Sequence, residues 1–253
     1  MIKKILFVLL FVGCFSLELD YSNIKVLEVI DGDTIRLENQ KLLRYIGVDT
    51  PEIGIRKGNN FIYSPQPFAE EAKEFNRKLV EGKKIRIEFD IEKIDKYGRL
   101  LGYVFVKDTF VNAKLLEEGY AVLYTNPPNL KYIELFKKLQ KEAQTKKRGL
   151  WGAYEVISSD LAHLYINQIR TVRGKVLNSY KTDKCIFLNF GEDYKKDFTI
   201  VIFKDNFKYF YEKNIDPKTF YTGKTVQITG KIIDYNGPEI IARTPEDIEV
   251  INS

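Results

Sequence analysis
Apolar and polar residues alternate with a period of two in three short stretches between residues 23 and 48. IKVLEVI leads into DTIRLEN, Asn39-Gln40 makes a turn, and KLLRYIGV returns, so the pattern predicts three strands. A loop carrying Gly54, Gly58, Asn59 and Asn60 follows and is closed by Pro65 and Pro67. Phe68, Ala72, Phe75 and Leu79 then recur at helical spacing until Gly82, which predicts an amphipathic helix. KKIRIEFDIE and GRLLGYVFVKD alternate as two more strands, and VNAKLLEEG reads as a short helix ending at Gly119. From Leu130 to Arg148, Leu135, Leu139 and Ala143 mark the inner face of a last helix that Gly149 stops. Three strands, a helix, two strands and terminal helices is the order of an OB-type five-stranded barrel with helical additions.

The alternation fades over residues 153–170, which read as a linker with a short helix after Ser158-Ser159-Asp160. It resumes at Thr171. TVRGKVLNSY, KCIFLNFG and DFTIVIFK are strands, NFKYFYEKN is a short aromatic helix, and KTVQITGKIIDYNGPEIIA is two strands around Asn236-Gly237. This repeats the order of the first half without repeating its sequence. The expectation is a mainly β chain with α additions: an OB-type five-stranded barrel over 19–152, then a second small OB-like β-barrel over 171–253.

The first residues follow a different logic. Lys3 and Lys4 precede an apolar run from Ile5 to Val12, too short to span a bilayer, and Gly13-Cys14 follows. Residues 1–18 read as an export segment, with Cys14 lipidated and the protein held at a membrane surface. Cleavage near Ser16, giving a secreted or periplasmic protein, is the alternative. Cys185 is then the lone remaining cysteine, a small apolar strand residue, and the fold must hold without a disulfide.

A net charge of +5 is a mild bias toward polyanions. The single histidine, His163, excludes more: histidine-cluster zinc sites and paired-histidine schemes need more imidazole than this chain has. Chemistry must rest on carboxylates, arginines, lysines or tyrosines. Such residues gather in VIDGDT ending at Thr34, LRYIGVDTPE ending at Glu52, and DKYGR ending at Arg99. Asp33 opens one strand and Asp49 closes another, and in a small barrel those ends lie side by side. Two carboxylates with a backbone carbonyl make a sparse oxygen site for a hard divalent cation, completed by water. Pro51 fixes the turn after Thr50, so that carbonyl and the Glu52 side chain share one orientation. Glu52 is placed to position or deprotonate a water for attack on phosphorus, and Arg44 and Arg99 are forks for a phosphate. Singly, each has a plainer reading, since Asp-Gly and Asp-Thr form turns without a metal and strand arginines are commonly surface residues. Their joint occurrence in barrel order carries the chemical reading.

Residues 23–151 resemble the staphylococcal nuclease (thermonuclease) family, through VIDGDT, LRYIGVDTPE, DKYGRLLGYVFV, VNAKLLEEGYA and the closing KKRGLW. The resemblance implies an OB-barrel, calcium-dependent phosphodiesterase acting on DNA or RNA, with 3′-phosphorylated products. It implies that Asp33, Asp49 and the Thr50 carbonyl hold Ca2+, with Asp31 shaping the surroundings of the ion. Arg44, Glu52 and Arg99 match the catalytic positions. Lys96 and Tyr97 match contacts to a terminal phosphate, and Tyr124 a nucleotide-packing tyrosine. Asn126 stands where a second such tyrosine is expected, and AVLYTNPPN is one residue shorter than the prototype. The second half resembles a nucleic-acid-binding module found beside nuclease domains. Its Lys175, Lys181, Lys184, Lys195 and Lys196 line a groove in that reading, or are solvated strand ends in the plainer one. A non-catalytic nucleic-acid-binding protein and a surface interaction protein are the alternatives to a nuclease. No protein partner is expected.

Overall fold
The computed structural model describes residues 21–58 and 60–251. The export segment and Cys14 therefore lie outside the described residues. Among the described residues no helix is long and apolar enough to cross a membrane.

Strands β1 (Ile24–Val29), β2 (Thr34–Leu37), β3 (Leu42–Tyr45), β4 (Lys84–Glu88) and β5 (Leu100–Val106) pair in the order β3-β2-β1-β4-β5. The sheet closes because β5 returns to lie parallel to β3, with Leu43, Arg44 and Tyr45 beside Leu100, Leu101 and Gly102. The result is the expected five-stranded OB-type barrel. Alternation fills it: Val26, Ile35, Leu37, Leu43, Ile85 and Val104 all point inward. A bulge between Val26 and Glu28 resets β1, so that Val29 and not Glu28 reaches the core.

Helix α1 (Ala69–Val80) places acids in its first turn and Arg77 and Lys78 in its last, as its dipole favours. It buries Ala69, Ala72, Asn76 and Val80, while Phe75 stacks on Tyr120 with ring centres 4.4 Å apart. α2 (Val111–Glu117) and α3 (Ile133–Thr145) follow β5. The inner face of α3 differs from the expected Leu135, Leu139 and Ala143. Phe136 and Ala143 are buried, Leu139 packs beside them and Leu135 is exposed. Both sets fit a helical period, and Phe136 is chosen because its ring fills the space over Gly47. A Cβ added at Gly47, where φ is +82°, would collide with that ring. The expected loop after Glu52 is also more regular than its glycines suggest. Gly54–Lys57 and Asn60–Tyr63 pair as an antiparallel hairpin, which satisfies the backbone groups facing across it while leaving Ile55, Phe61, Ile62 and Tyr63 exposed.

In the second half, β6 (Ile169–Lys175) pairs with β10 (Thr225–Lys231), while β7 (Asn178–Lys181), β8 (Cys185–Asn189) and β9 (Thr199–Phe203) form a meander. β11 (Pro238–Ile241) runs parallel to β9 and antiparallel to Ile233–Asp234, the continuation of β10. Taking β6 and β7 as one bent strand, this is the circuit of the first barrel again. The unit begins earlier than the alternation showed: Ile157–Ser158 pairs parallel with β6, and Ile157 and Ala162 join its core. A two-residue strand and a short 3-10 helix carry no readable period, so residues 153–170 look like a linker in sequence.

The two barrels share a small apolar seam of Val122, Leu150 and Ile169, covered by Phe68, Trp151 and Tyr154. Thr125 Oγ1 donates to Asp247 Oδ2 at 2.8 Å, and Lys141 Nζ lies 2.6 Å from Glu249 Oε1.

One buried acid in the second barrel offers a test of the packing. Glu239 is 7 % exposed, and burial, with Asp234 adding to it, pushes its carboxyl up to about 7. A raised acid favours the fold when protonated, so its contribution is full below the ordinary value and lost as pH rises through 7. Glu239→Gln is expected to be more stable than wild type by roughly 1–3 kcal/mol at pH 8 in urea titrations, the gain vanishing toward acid pH. A pH-independent difference would contradict this account.

Candidate active site
The mouth of the first barrel opens into a cleft of about 930 Å³. Asp31, Arg44, Asp49, Glu52, Lys96, Tyr97, Arg99 and Tyr124 line it, so eight sequence-derived candidates meet in one place. Asp33 and Thr50, both nearly fully buried, stand just behind it.

Local geometry explains the convergence. Asp31 Oδ1 accepts the Asp33 N–H at 3.1 Å, closing a tight turn over Gly32. A Cβ on Gly32 would sit 2.6 Å from Thr50 Oγ1, so only glycine admits the Thr50 side chain. Thr50 in turn donates its N–H (2.9 Å) and hydroxyl (3.1 Å) to Asp33 Oδ2. Arg44, opposite Thr34 in the β2–β3 ladder, forms an ion pair with Asp33 Oδ1 and another at 2.6 Å with Asp49 Oδ1. The same guanidinium donates to the Val48 carbonyl at 3.2 Å. One arginine therefore bridges the two aspartates expected to hold a cation. Asp49 is also fixed from its backbone, since Val48–Asp49 pairs antiparallel with Val122–Leu123.

Glu52 is braced through its main chain. Its N–H donates to Gln66 Oε1 at 3.1 Å and its carbonyl accepts the Gln66 N–H at 2.9 Å. Burial raises the Glu52 carboxyl above the ordinary glutamate range, with Asp49 and Asp31 adding to this and Lys231 and Arg44 opposing it. Asp31 is likewise pushed up by burial, against the pull of Arg44, Thr34 and Arg99. Across the cleft, Asp95 organises the DKYGR turn by accepting the Tyr97 and Arg99 N–H groups at Oδ1, both at 2.9 Å. Its Oδ2 takes Arg99 Nε at 2.7 Å. Lys96 Nζ lies 5.1 Å from the Tyr97 ring centre, and that ring is exposed.

Several contributors carried no signal in the sequence. Asn76 of α1 accepts from the buried Tyr45 hydroxyl at 3.0 Å and donates to the Asp31 carbonyl at 3.3 Å, tying the helix to the first motif. Asn112 of α2 donates to the Ile46 carbonyl at 2.8 Å and accepts the Val104 N–H at 2.9 Å. Both are fully buried asparagines on helix faces that alternation alone labels polar. Lys231, Arg243 and Asp247 come from the second barrel. Lys175, Lys181, Lys184, Lys195 and Lys196 are exposed and do not line the cleft, and neither does exposed His163, whose Nδ1 sits 2.8 Å from the Asp160 carbonyl.

By donor chemistry the mouth suits a hard cation. Four carboxylates (Asp31, Asp33, Asp49 and Glu52) gather about Arg44, while Arg99 is already engaged with Asp95. Among the described residues no group of three His, Cys, Asp or Glu side chains is arranged as a ready metal cluster. A site of two aspartates and one main-chain carbonyl falls outside that description.

The class that fold and site define is an OB barrel with acids and arginines gathered at one mouth. The family profile of staphylococcal nuclease homologues matches residues 42–153. The thermonuclease of Staphylococcus hyicus is 42% identical over 131 residues, covering 51% of this chain and 75% of that protein. The thermonuclease of Staphylococcus intermedius is 43% identical over 129 residues, covering 50% and 74%. The SPbeta prophage-derived endonuclease YokF of Bacillus subtilis is 43% identical over 128 residues, 49% of this chain but only 42% of that protein. The chain belongs to the staphylococcal nuclease homologue family.

The Asp95 turn generates its own prediction. Burial raises this carboxyl, but the Arg99 and Tyr97 donors outweigh it and the net shift is downward. Its stabilising contribution is therefore present above the ordinary aspartate value and lost as pH falls through the lowered one. Asp95→Ala is expected to cost about 1–3 kcal/mol at pH 7 in denaturant titrations, with the cost fading in strong acid. An unchanged midpoint at neutral pH would show that Asp95 does not hold the turn.

Proposed function
We propose that the protein is an exported, calcium-dependent nuclease that hydrolyses phosphodiester bonds of DNA or RNA and leaves 3′-phosphorylated ends. The observation that carries this reading is the single cleft uniting Arg44, Glu52 and Arg99 with the aspartates around Arg44. The names of the relatives, two thermonucleases and an endonuclease, support it. Retention of every acid and arginine of the pattern disfavours a purely binding or adhesive role.

Asp33, Asp49 and the Thr50 carbonyl would hold calcium, which when bound supplies positive charge to a phosphoryl oxygen at the mouth. The chain's own groups do the rest. Glu52, raised by burial and neighbouring acids, accepts a proton from the attacking water, or fixes that water, on one side of phosphorus. The Arg44 and Arg99 guanidiniums face the same cleft and neutralise charge that grows on the phosphoryl oxygens. Lys96 and Tyr97 meet a neighbouring phosphate and Tyr124 contacts the nucleotide. The export reading rests on residues 1–18, with Cys14 as the lipidated residue of a membrane-anchored protein.

The test is hydrolysis of single-stranded DNA by the purified chain, with calcium and then with excess chelator. Wild type should lose activity on chelation, and Glu52→Gln, Arg44→Ala and Arg99→Ala should each fall by roughly 10²-fold or more with the fold intact by circular dichroism. Full activity in chelator would remove the cation site. Near-normal turnover by Arg99→Ala would remove the arginine clamp.

A further inference from the structure
One wall of the cleft does not belong to the nuclease barrel. Thr229, Lys231, Ile233, Ile241 and Arg243 of the second barrel face the acids and arginines of the first. Two of these residues are cations, both half-buried. Arg44 and Arg99 each have a carboxylate partner, but neither Lys231 nor Arg243 forms an ion pair with any described residue. A half-buried cation with no carboxylate in ion-pair contact recovers only part of its lost hydration from ring contacts and more distant charges, so such a pair is poised for an anion from outside.

Their placement is fixed by structure. Lys231 ends β10, seven residues of which are laddered to β6, and its charge acts on Glu52. The Arg243 guanidinium lies over the Tyr124 ring, 4.3 Å from its centre, a cation–π contact between the two barrels. The loop that carries Arg243 is pinned at that spot. Asp247 Oδ2 accepts the Arg243 N–H at 2.6 Å and the Thr244 N–H at 3.0 Å, and also the Thr125 hydroxyl of the first barrel at 2.8 Å. With that carboxylate oxygen occupied by these donors, the guanidinium nitrogens are left for another close acceptor, since among the described residues they reach only the Ile241 carbonyl, at a long 3.5 Å.

We propose that the second barrel completes the substrate site, with Lys231 and Arg243 binding phosphates of the nucleic-acid strand that enters the nuclease mouth. This rests on the nuclease reading above. Arg243 takes its phosphate from a seat on one face of the Tyr124 ring. The second barrel thus binds nucleic acid through this wall.

The experiment uses the full chain and a single-stranded DNA oligonucleotide. KM and kcat are measured with calcium across a salt series, and affinity by fluorescence anisotropy in chelator, for wild type, Lys231→Gln/Arg243→Gln and Lys231→Arg/Arg243→Lys. Lys208→Gln, an exposed lysine of the same barrel outside the cleft, is the control. The glutamine pair should raise KM and weaken chelator-state binding about tenfold or more, and the salt slope should drop by about 1.4, that expected for two lost phosphate contacts. The charge-conserving pair should recover most of the salt slope. Wild-type KM and slope in the glutamine pair, or a fall in kcat alone, would overturn the proposal. A wild type that binds oligonucleotide but never cleaves it would sink the nuclease reading, and the anisotropy comparison would still decide the role of the two cations.

Discussion

The barrel mouth is organised by one guanidinium. Arg44 holds Asp33 with one nitrogen and Asp49 with the other, and Asp33 has almost no access to water. Two carboxylates that close would repel and drift apart without a positive group between them, and a buried, unpaired aspartate is among the costlier defects a small fold can carry. The same arginine therefore serves the fold and, in the proposed function, the chemistry. Thr50 shares the burden by giving Asp33 two hydrogen bonds, which is possible because residue 32 has no side chain.

The remaining parts of the site are arranged around that bridge by main-chain devices more than by side-chain packing. The pairing of Val48–Asp49 with Val122–Leu123 sets Asp49, the Gln66 amide sets Glu52, and the Asp95 turn sets Arg99. Each device acts on a short stretch, and Asp49, Glu52 and Arg99 all line the cleft.

The strands of both barrels were legible because alternation is a local property, and the three motifs were legible because their turns demand particular residues. What could not be read depends on contacts between distant elements. Phe136 and Leu135 are equally good helical candidates until Gly47 selects one ring. Asn76 and Asn112 look like solvated polar residues until the backbone groups they satisfy arrive from other elements. Ile157–Ser158 is too short to show a period. Lys231, Arg243 and Asp247 lie on strands and loops of ordinary composition, and only the docking of one barrel on the other brings them to the cleft.

The parallel seam between β3 and β5 has a consequence for how the molecule is made. It joins Leu43–Tyr45 to Leu100–Gly102, stretches far apart along the chain, so closing it costs loop entropy that a local hairpin does not. Arg44 lies in one strand of this seam and Arg99 immediately precedes the other. A polypeptide in which this seam is open thus has nothing to hold its two guanidiniums together. Closing this one seam is therefore the event that brings the two arginine-bearing segments side by side.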